Sequence, residues 1–224
     1  MRTISLEEYQ DRIKDAEVLS MDSYGDKVLR TPRGTIVKLF RLKRRLSTAV
    51  FLPYVTRFER AVLRLHQLGI PTVEILDIFR IEGTNLDAVV YIPLLGETLR
   101  EVVGRTKDSD PLLDQFAGFM RSLHDKGIHF RAIHSGNVVV TPTDEFGLID
   151  VSTLSCKDRT LSIARRAHNF KSFLNSGYDM PTMTAYGLRR FAICYLDGGD
   201  FNAAERKRFL QILERMHPGF SEST

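Results

Sequence analysis

Lys38, Glu59, Asn137 and Asp150 each lie at the edge of an apolar element, and their types suit phosphate and metal chemistry. In TIVKLF, residues 35 to 40, strand alternation puts Ile36 and Lys38 on one face and Val37 and Leu39 on the other. A lysine on a buried face needs an anionic partner. Glu59, in the helical stretch that follows, could supply it, leaving Lys38 to present its ammonium to a phosphate while Ile36 packs on a base. Asn137 closes a polar loop before VVV, and Asp150 ends the next strand thirteen residues on. An amide oxygen and a carboxylate at neighbouring ends of a hairpin are hard ligands suited to Mg²⁺, which keeps its other positions for water and substrate phosphates. The plainer alternatives are a solvated lysine and glutamate on exposed faces, a turn-forming asparagine and a capping aspartate.

The elements that must position these residues change in kind near Leu95. Before it, KVLR and TIVKLF flank Thr31-Pro32-Arg33-Gly34, and VEILDIFRI and DAVVYI flank Glu82-Gly83-Thr84-Asn85, so two β-hairpins are expected. Between them, Phe58, Val62, Leu65 and Leu68 recur at helical spacing and stop at Gly69 before Pro71. After Leu95 the pattern is mostly helical. Asp110 and Pro111 start a helix carrying Leu112, Phe116, Met120 and Leu123. Ile163, Ala167, Phe170 and Leu174 mark another, and Asn202 with Glu205 opens a last one. Between the first two helices, VVV and FGLID form a third hairpin. The expected class is α+β, with a small antiparallel sheet plus one helix in residues 1–95 and a mostly helical part in residues 96–224.

The chain of 224 residues is 43% hydrophobic, enough for one large domain or two small lobes. Its 32 Lys and Arg against 28 Asp and Glu give a formal charge of +4, which favours anionic partners: nucleotides, phosphorylated sugars, nucleic acid or acidic lipid surfaces. Cys156 and Cys194 are too few for a disulfide framework and too far apart for a CxxC pair, so a reducing cytoplasm is expected. The N-terminal residues lack the apolar core of a secretion signal. The longest apolar run, Ala88 to Leu95, is far short of the roughly 20 residues of a membrane helix, so membrane contact would be peripheral.

Taken in order, these residues resemble the protein-kinase-like fold. Lys38 follows a hairpin, Glu59 lies on the next helix, and HSGN, residues 134 to 137, resembles the H-x-G-N loop ending of small-molecule kinases. IDVS, residues 149 to 152, stands where D-F-G is expected. FRAIHSGN, the GLID strand and the basic stretch ARRAHNFKSFL are similar to the bacterial lipopolysaccharide core kinase group, whose short members are called toluene tolerance proteins. The resemblance runs from about residue 19 to 196. It implies a two-lobed kinase that uses ATP and Mg²⁺ to phosphorylate a sugar hydroxyl of a lipopolysaccharide core intermediate at the cytoplasmic face of the inner membrane. Lys38 would hold phosphates, Glu59 would orient it, and Asn137 and Asp150 would hold metal.

The sequence departs from that pattern in three places. The phosphate-covering turn, residues 20 to 25, has one glycine; the D-F-G position reads Asp150-Val151-Ser152; and Ala132 stands where the loop aspartate belongs. Phosphoryl transfer draws mainly on positioning and charge neutralisation, while general-base help is typically about 10²- to 10⁴-fold, so a slow enzyme survives that loss. His134 is the candidate to take the proton or hold a transferring phosphate; its structural alternative is to pin the loop. Arg131 is expected to hold the loop or an activation-segment carboxylate rather than touch substrate. Arg165, Arg166 and Lys171 are expected to meet an anionic acceptor. The rivals are a pseudokinase that binds nucleotide and acts through partners, supported by Ala132, and a nucleic-acid-binding protein, supported only by net charge and by Arg41, Lys43, Arg44 and Arg45.

Overall fold

The computed structural model describes residues 1–23, 25–41 and 53–221. The chain is α+β and divides into two compact units, Met1–Leu94 and Leu95–Thr224.

The N-terminal unit runs β1 (Arg2–Ile4), α1 (Leu6–Arg12), β2 (Glu17–Asp22), β3 (Gly25–Arg30), β4 (Ile36–Arg41), α2 (Tyr54–Gln67), β5 (Glu74–Ile81) and β6 (Leu86–Ile92). Its six strands form one sheet in the order β1-β5-β6-β4-β3-β2. The two expected hairpins are present, the first closed by a hydrogen bond from the Gly34 amide to the Thr31 carbonyl at 2.9 Å. The sheet is mixed rather than antiparallel, because β1 pairs with β5 in parallel. A second helix, α1, is also present, capped by the Ser5 hydroxyl accepting from the Glu8 amide at 3.0 Å. Tyr9 of α1 and Ile4 cover one sheet face, packing with Leu29, Val37, Leu39, Phe79, Ile81 and Ala88. The other face receives α2, whose Phe58 ring lies 5.9 Å from that of Phe40 and 5.7 Å from that of Tyr91.

The C-terminal unit contains β7 (Glu97–Thr98), α3 (Leu99–Arg105), α4 (Asp110–Asp125), β8 (Ile128–Phe130), β9 (Val138–Val140), β10 (Phe146–Leu148) and β11 (Leu154–Cys156). Then come α5 (Ile163–Asn169), α6 (Lys171–Leu174), α7 (Asp179–Tyr186), α8 (Leu188–Asp197) and α9 (Ala203–Met216). The helix expected from Ile163 to Leu174 is broken at Phe170, whose buried ring packs on Phe191, Tyr195 and Phe209 at 5.3–5.7 Å. Helix α4 starts one residue earlier than expected, with Asp110 as its first residue and Ser109 before it making no side-chain cap hydrogen bond. Helix α9 begins with the expected Asn202–Glu205 capping box.

Two antiparallel pairs position the loops of interest. β8 pairs with β11, and β9 pairs with β10. Residues 131–137 connect β8 to β9, while residues 149–153 connect β10 to β11, so the pairings force the two connections to run side by side. Gly127 permits the tight entry into β8. Its φ is +76°, and a Cβ there would sit 2.1 Å from the Lys157 carbonyl oxygen. Among the described residues, no helix is long and apolar enough to cross a membrane.

Candidate functional site

In the N-terminal unit, Lys38 is only 6% exposed although it is cationic, which removes the solvated-lysine alternative. Both faces of β4 are covered, so alternation separates two buried faces here. Lys38 Nζ lies 5.7 Å from the Phe40 ring centroid and 5.8 Å from that of Phe58, distances at which an aromatic face attracts a cation. Ile36, on the same face, is buried. Glu59 is half-buried on α2, next to Phe58, and no hydrogen bond or ion pair joins it to Lys38 among the described residues. Asp22 and Gly25 are paired neighbours across the β2–β3 turn. Arg41 Nε lies 3.8 Å from Asp22; Lys43, Arg44 and Arg45 lie outside the described residues.

In the C-terminal unit, Asn137 and Asp150 are brought together by backbone pairing. The Ile149 amide donates to the Asn137 carbonyl at 3.1 Å, one residue before Asp150. Asp150 is exposed and takes the left-handed conformation, φ 54° and ψ 42°, at the turn from β10 into the 3₁₀ segment Val151–Thr153. Aspartate tolerates that region better than most residues, and such strain clusters at functional sites. The Asn137 amide nitrogen donates to the Ala132 carbonyl at 3.0 Å. That bond fixes the amide's orientation and leaves Oδ1 without a hydrogen bond among the described residues. An amide oxygen and a carboxylate are hard oxygen donors of the kind a magnesium ion takes. No described group of three or more His, Cys, Asp or Glu forms a self-sufficient metal cage.

His134 is held inside the loop. Its Nδ1 lies 3.2 Å from the Gly136 amide nitrogen, and its Nε2 lies 3.1 Å from the Asn137 amide nitrogen. A neutral imidazole has one lone pair to offer, and two loop donors already compete for it. Burial lowers its pKa; Asp179 and Asp150 oppose that shift and Arg100 reinforces it. Burial thus favours the neutral ring, and His134 acts as a loop pin that accepts from a loop N–H, with no lone pair left for a substrate proton. The geometry therefore favours pin over general base.

Several residues that hold the loop carry no local signal in the sequence. Asp179, 3% exposed, accepts from the Ser135 amide at 2.9 Å and from the Ser135 hydroxyl. Arg100 donates to Ser135 Oγ at 3.3 Å and to Asp179 at 3.4 Å. A Cβ on Gly136 would lie 3.0 Å from the Arg100 guanidinium, so a side chain there would require that guanidinium to shift. Behind the loop, Asn169 donates to the Phe130 carbonyl at 2.7 Å, and its Oδ1 accepts from the Phe130 amide and from His124 Nε2. His124 Nδ1 accepts in turn from the Tyr195 hydroxyl at 2.8 Å, and that oxygen accepts from Arg166 at 3.0 Å. Every donor in this chain has one acceptor, so the His124 tautomer is fixed with its proton on Nε2.

That network corrects one expectation. Arg166 lines a cavity together with Arg165, but it is 5% exposed and its guanidinium is committed to Tyr195, Asp125, Thr160 and the Leu161 carbonyl rather than open to a ligand. Helix periodicity separates it from Arg165, which is exposed, and Lys171 is exposed on α6. Arg165 and Lys171 line different cavities; Lys171 shares its cavity with His134.

No protein-family model matches the chain, and a search of curated proteins finds no match.

Proposed function

We propose that the chain is an ATP- and Mg²⁺-dependent phosphotransferase that phosphorylates a sugar hydroxyl, with a lipopolysaccharide core intermediate as the acceptor class suggested by the FRAIHSGN resemblance. The observation that carries the reading is the backbone pairing of Asn137, its side-chain amide oriented by Ala132, with the residue that precedes Asp150. Magnesium bound there would neutralise charge on phosphate oxygens. The chain's own contribution is positional. Asn137 is oriented by Ala132, the loop is clamped through Ser135 by Asp179 and Arg100, and β8 is anchored by Asn169. Lys38 is the residue for nucleotide phosphates in the N-terminal unit.

A second reading, a pseudokinase that binds nucleotide without turnover, is favoured by a specific observation. No proton acceptor stands at position 132, and the lone pair of His134 is used within the loop. Phosphate transfer from ATP separates the two. The parent should turn over slowly, and Ala132→Asp should raise the rate by up to the roughly 10²- to 10⁴-fold typical of general-base help. His134→Ala should act mainly through loop stability. No turnover in parent or Ala132→Asp, with Mg·ATP bound and sugar acceptors supplied, sinks the enzyme reading.

A further inference from the structure

A cleft of about 720 Å³ in the C-terminal unit is lined by Arg100, Arg131, Lys171, His129, His134, His168 and the segment around Tyr178, with no carboxylate residue lining it among the described residues. That volume suits a small ligand. Arg131 and Lys171 are exposed, and neither side chain makes an ion pair among the described residues. Arg100 is already shared with Asp179. Burial lowers the pKa of His129, and Arg165, Arg131 and His168 push it the same way. The uncompensated charge therefore comes from Arg131 and Lys171, two cations that suit a dianion. At the rim, Tyr178 is 77% exposed, with the Arg100 guanidinium 4.7 Å from its ring centroid. An exposed aromatic held in place by a cation is a platform for the C–H face of a sugar, and Asn175, also exposed, offers amide groups to hydroxyls.

We propose that this cleft binds a sugar phosphate, with the phosphate monoester between Arg131 and Lys171 and the sugar ring against Tyr178. Its role as the acceptor site rests on the phosphotransferase reading; binding itself does not. The Arg131 carbonyl holds the loop by accepting from Ser172 at 2.8 Å, which leaves its exposed side chain to meet a ligand in this proposal.

Titration calorimetry on the nucleotide-free protein at pH 7 in about 0.1 M salt tests the site, with glucose 6-phosphate, inorganic phosphate and glucose as probes. Glucose 6-phosphate should bind at least tenfold tighter than either fragment. Arg131→Glu with Lys171→Glu should weaken it by more than tenfold; both side chains are exposed, and circular dichroism should show the fold unchanged. Tyr178→Ala should weaken glucose 6-phosphate but not inorganic phosphate, and Arg165→Glu, on the other cavity, should leave both within twofold. Absence of glucose 6-phosphate binding, or binding that survives the double reversal, overturns the proposal; inorganic phosphate binding as tightly as the sugar phosphate overturns its sugar half. Glucose 6-phosphate binding without any phosphate transfer from ATP keeps the cleft and removes the phosphotransferase reading. Transfer to a sugar phosphate with unchanged KM in the double reversal does the opposite.

Discussion

Lowering the pH from 7 to 5 should destabilise the C-terminal unit through His124. The ring is 0% exposed, and burial pushes its pKa down to about 3, with Arg166 and His129 adding to the shift and Asn169 opposing it. In the unfolded chain the group returns to about 6.5, so between those values the unfolded state binds the extra proton and stability falls as pH falls. From pH 7 to 5 the unfolded-state protonation term changes by RT ln[(1 + 10^1.5)/(1 + 10^−0.5)], about 2 kcal/mol. The result is insensitive to the folded value as long as that stays well below 5. His129 and His134, both lowered, add in the same direction. The carboxylates with lowered pKa, Asp77, Glu101 and Asp114, lose their contribution only at lower pH, so they leave this window clear. The chain has no Trp, so urea unfolding is best followed by circular dichroism at pH 7, 6 and 5. His124→Gln should be less stable at pH 7 and lose about 2 kcal/mol less on going to pH 5. A parent with equal stability at pH 7 and 5, or a variant with the parent's full pH slope, would refute the buried neutral histidine.

Asn169→Ala strands the Phe130 amide and His124 Nε2, while the Phe130 carbonyl keeps the Ile133 amide at 3.1 Å, so at roughly 1–3 kcal/mol per stranded group the urea-derived stability should fall by about 2 kcal/mol or more. Gly127→Ala, at φ +76° and 2.1 Å from a carbonyl oxygen, should destabilise by more than the roughly 1–2 kcal/mol of left-handed strain alone. Gly104→Ala, inside α3 with open space around its Cβ, should stabilise by about 0.5–1 kcal/mol in the same assay.

What the sequence revealed follows the range of the interactions. The Thr31–Gly34 turn, the Asn202–Glu205 capping box and the stripe of Phe58, Val62 and Leu65 are local signals, and the structure contains them all. The pairing of Asn137 with Asp150 was legible because a hairpin ties spacing to proximity. α1 is a single short amphipathic helix whose Ser5 cap is local, whereas β1 has three residues and gains its place by pairing with β5. Helices α7 and α8 were not expected. The residues that hold the loop lie 35 to 79 positions from their partners, a separation that no local period encodes. Arg165 and Arg166 were read alike because composition does not say which of two adjacent helical positions faces the core; Tyr195 and Asp125 decide it for Arg166.

The central claim is that Asn137 and Asp150 hold a metal bridged by nucleotide phosphates, and calorimetric ATP binding with Mg²⁺ and with EDTA addresses it most directly. Asp150→Asn is the informative variant, because asparagine also tolerates φ 54° and the change removes the charge with little effect on the turn. The parent should bind ATP at least tenfold more tightly with Mg²⁺, a difference of about 1.4 kcal/mol. Asp150→Asn should erase that difference while keeping the affinity measured in EDTA. A parent indifferent to Mg²⁺, or an Asp150→Asn protein that retains the whole Mg²⁺ dependence, would contradict the assignment.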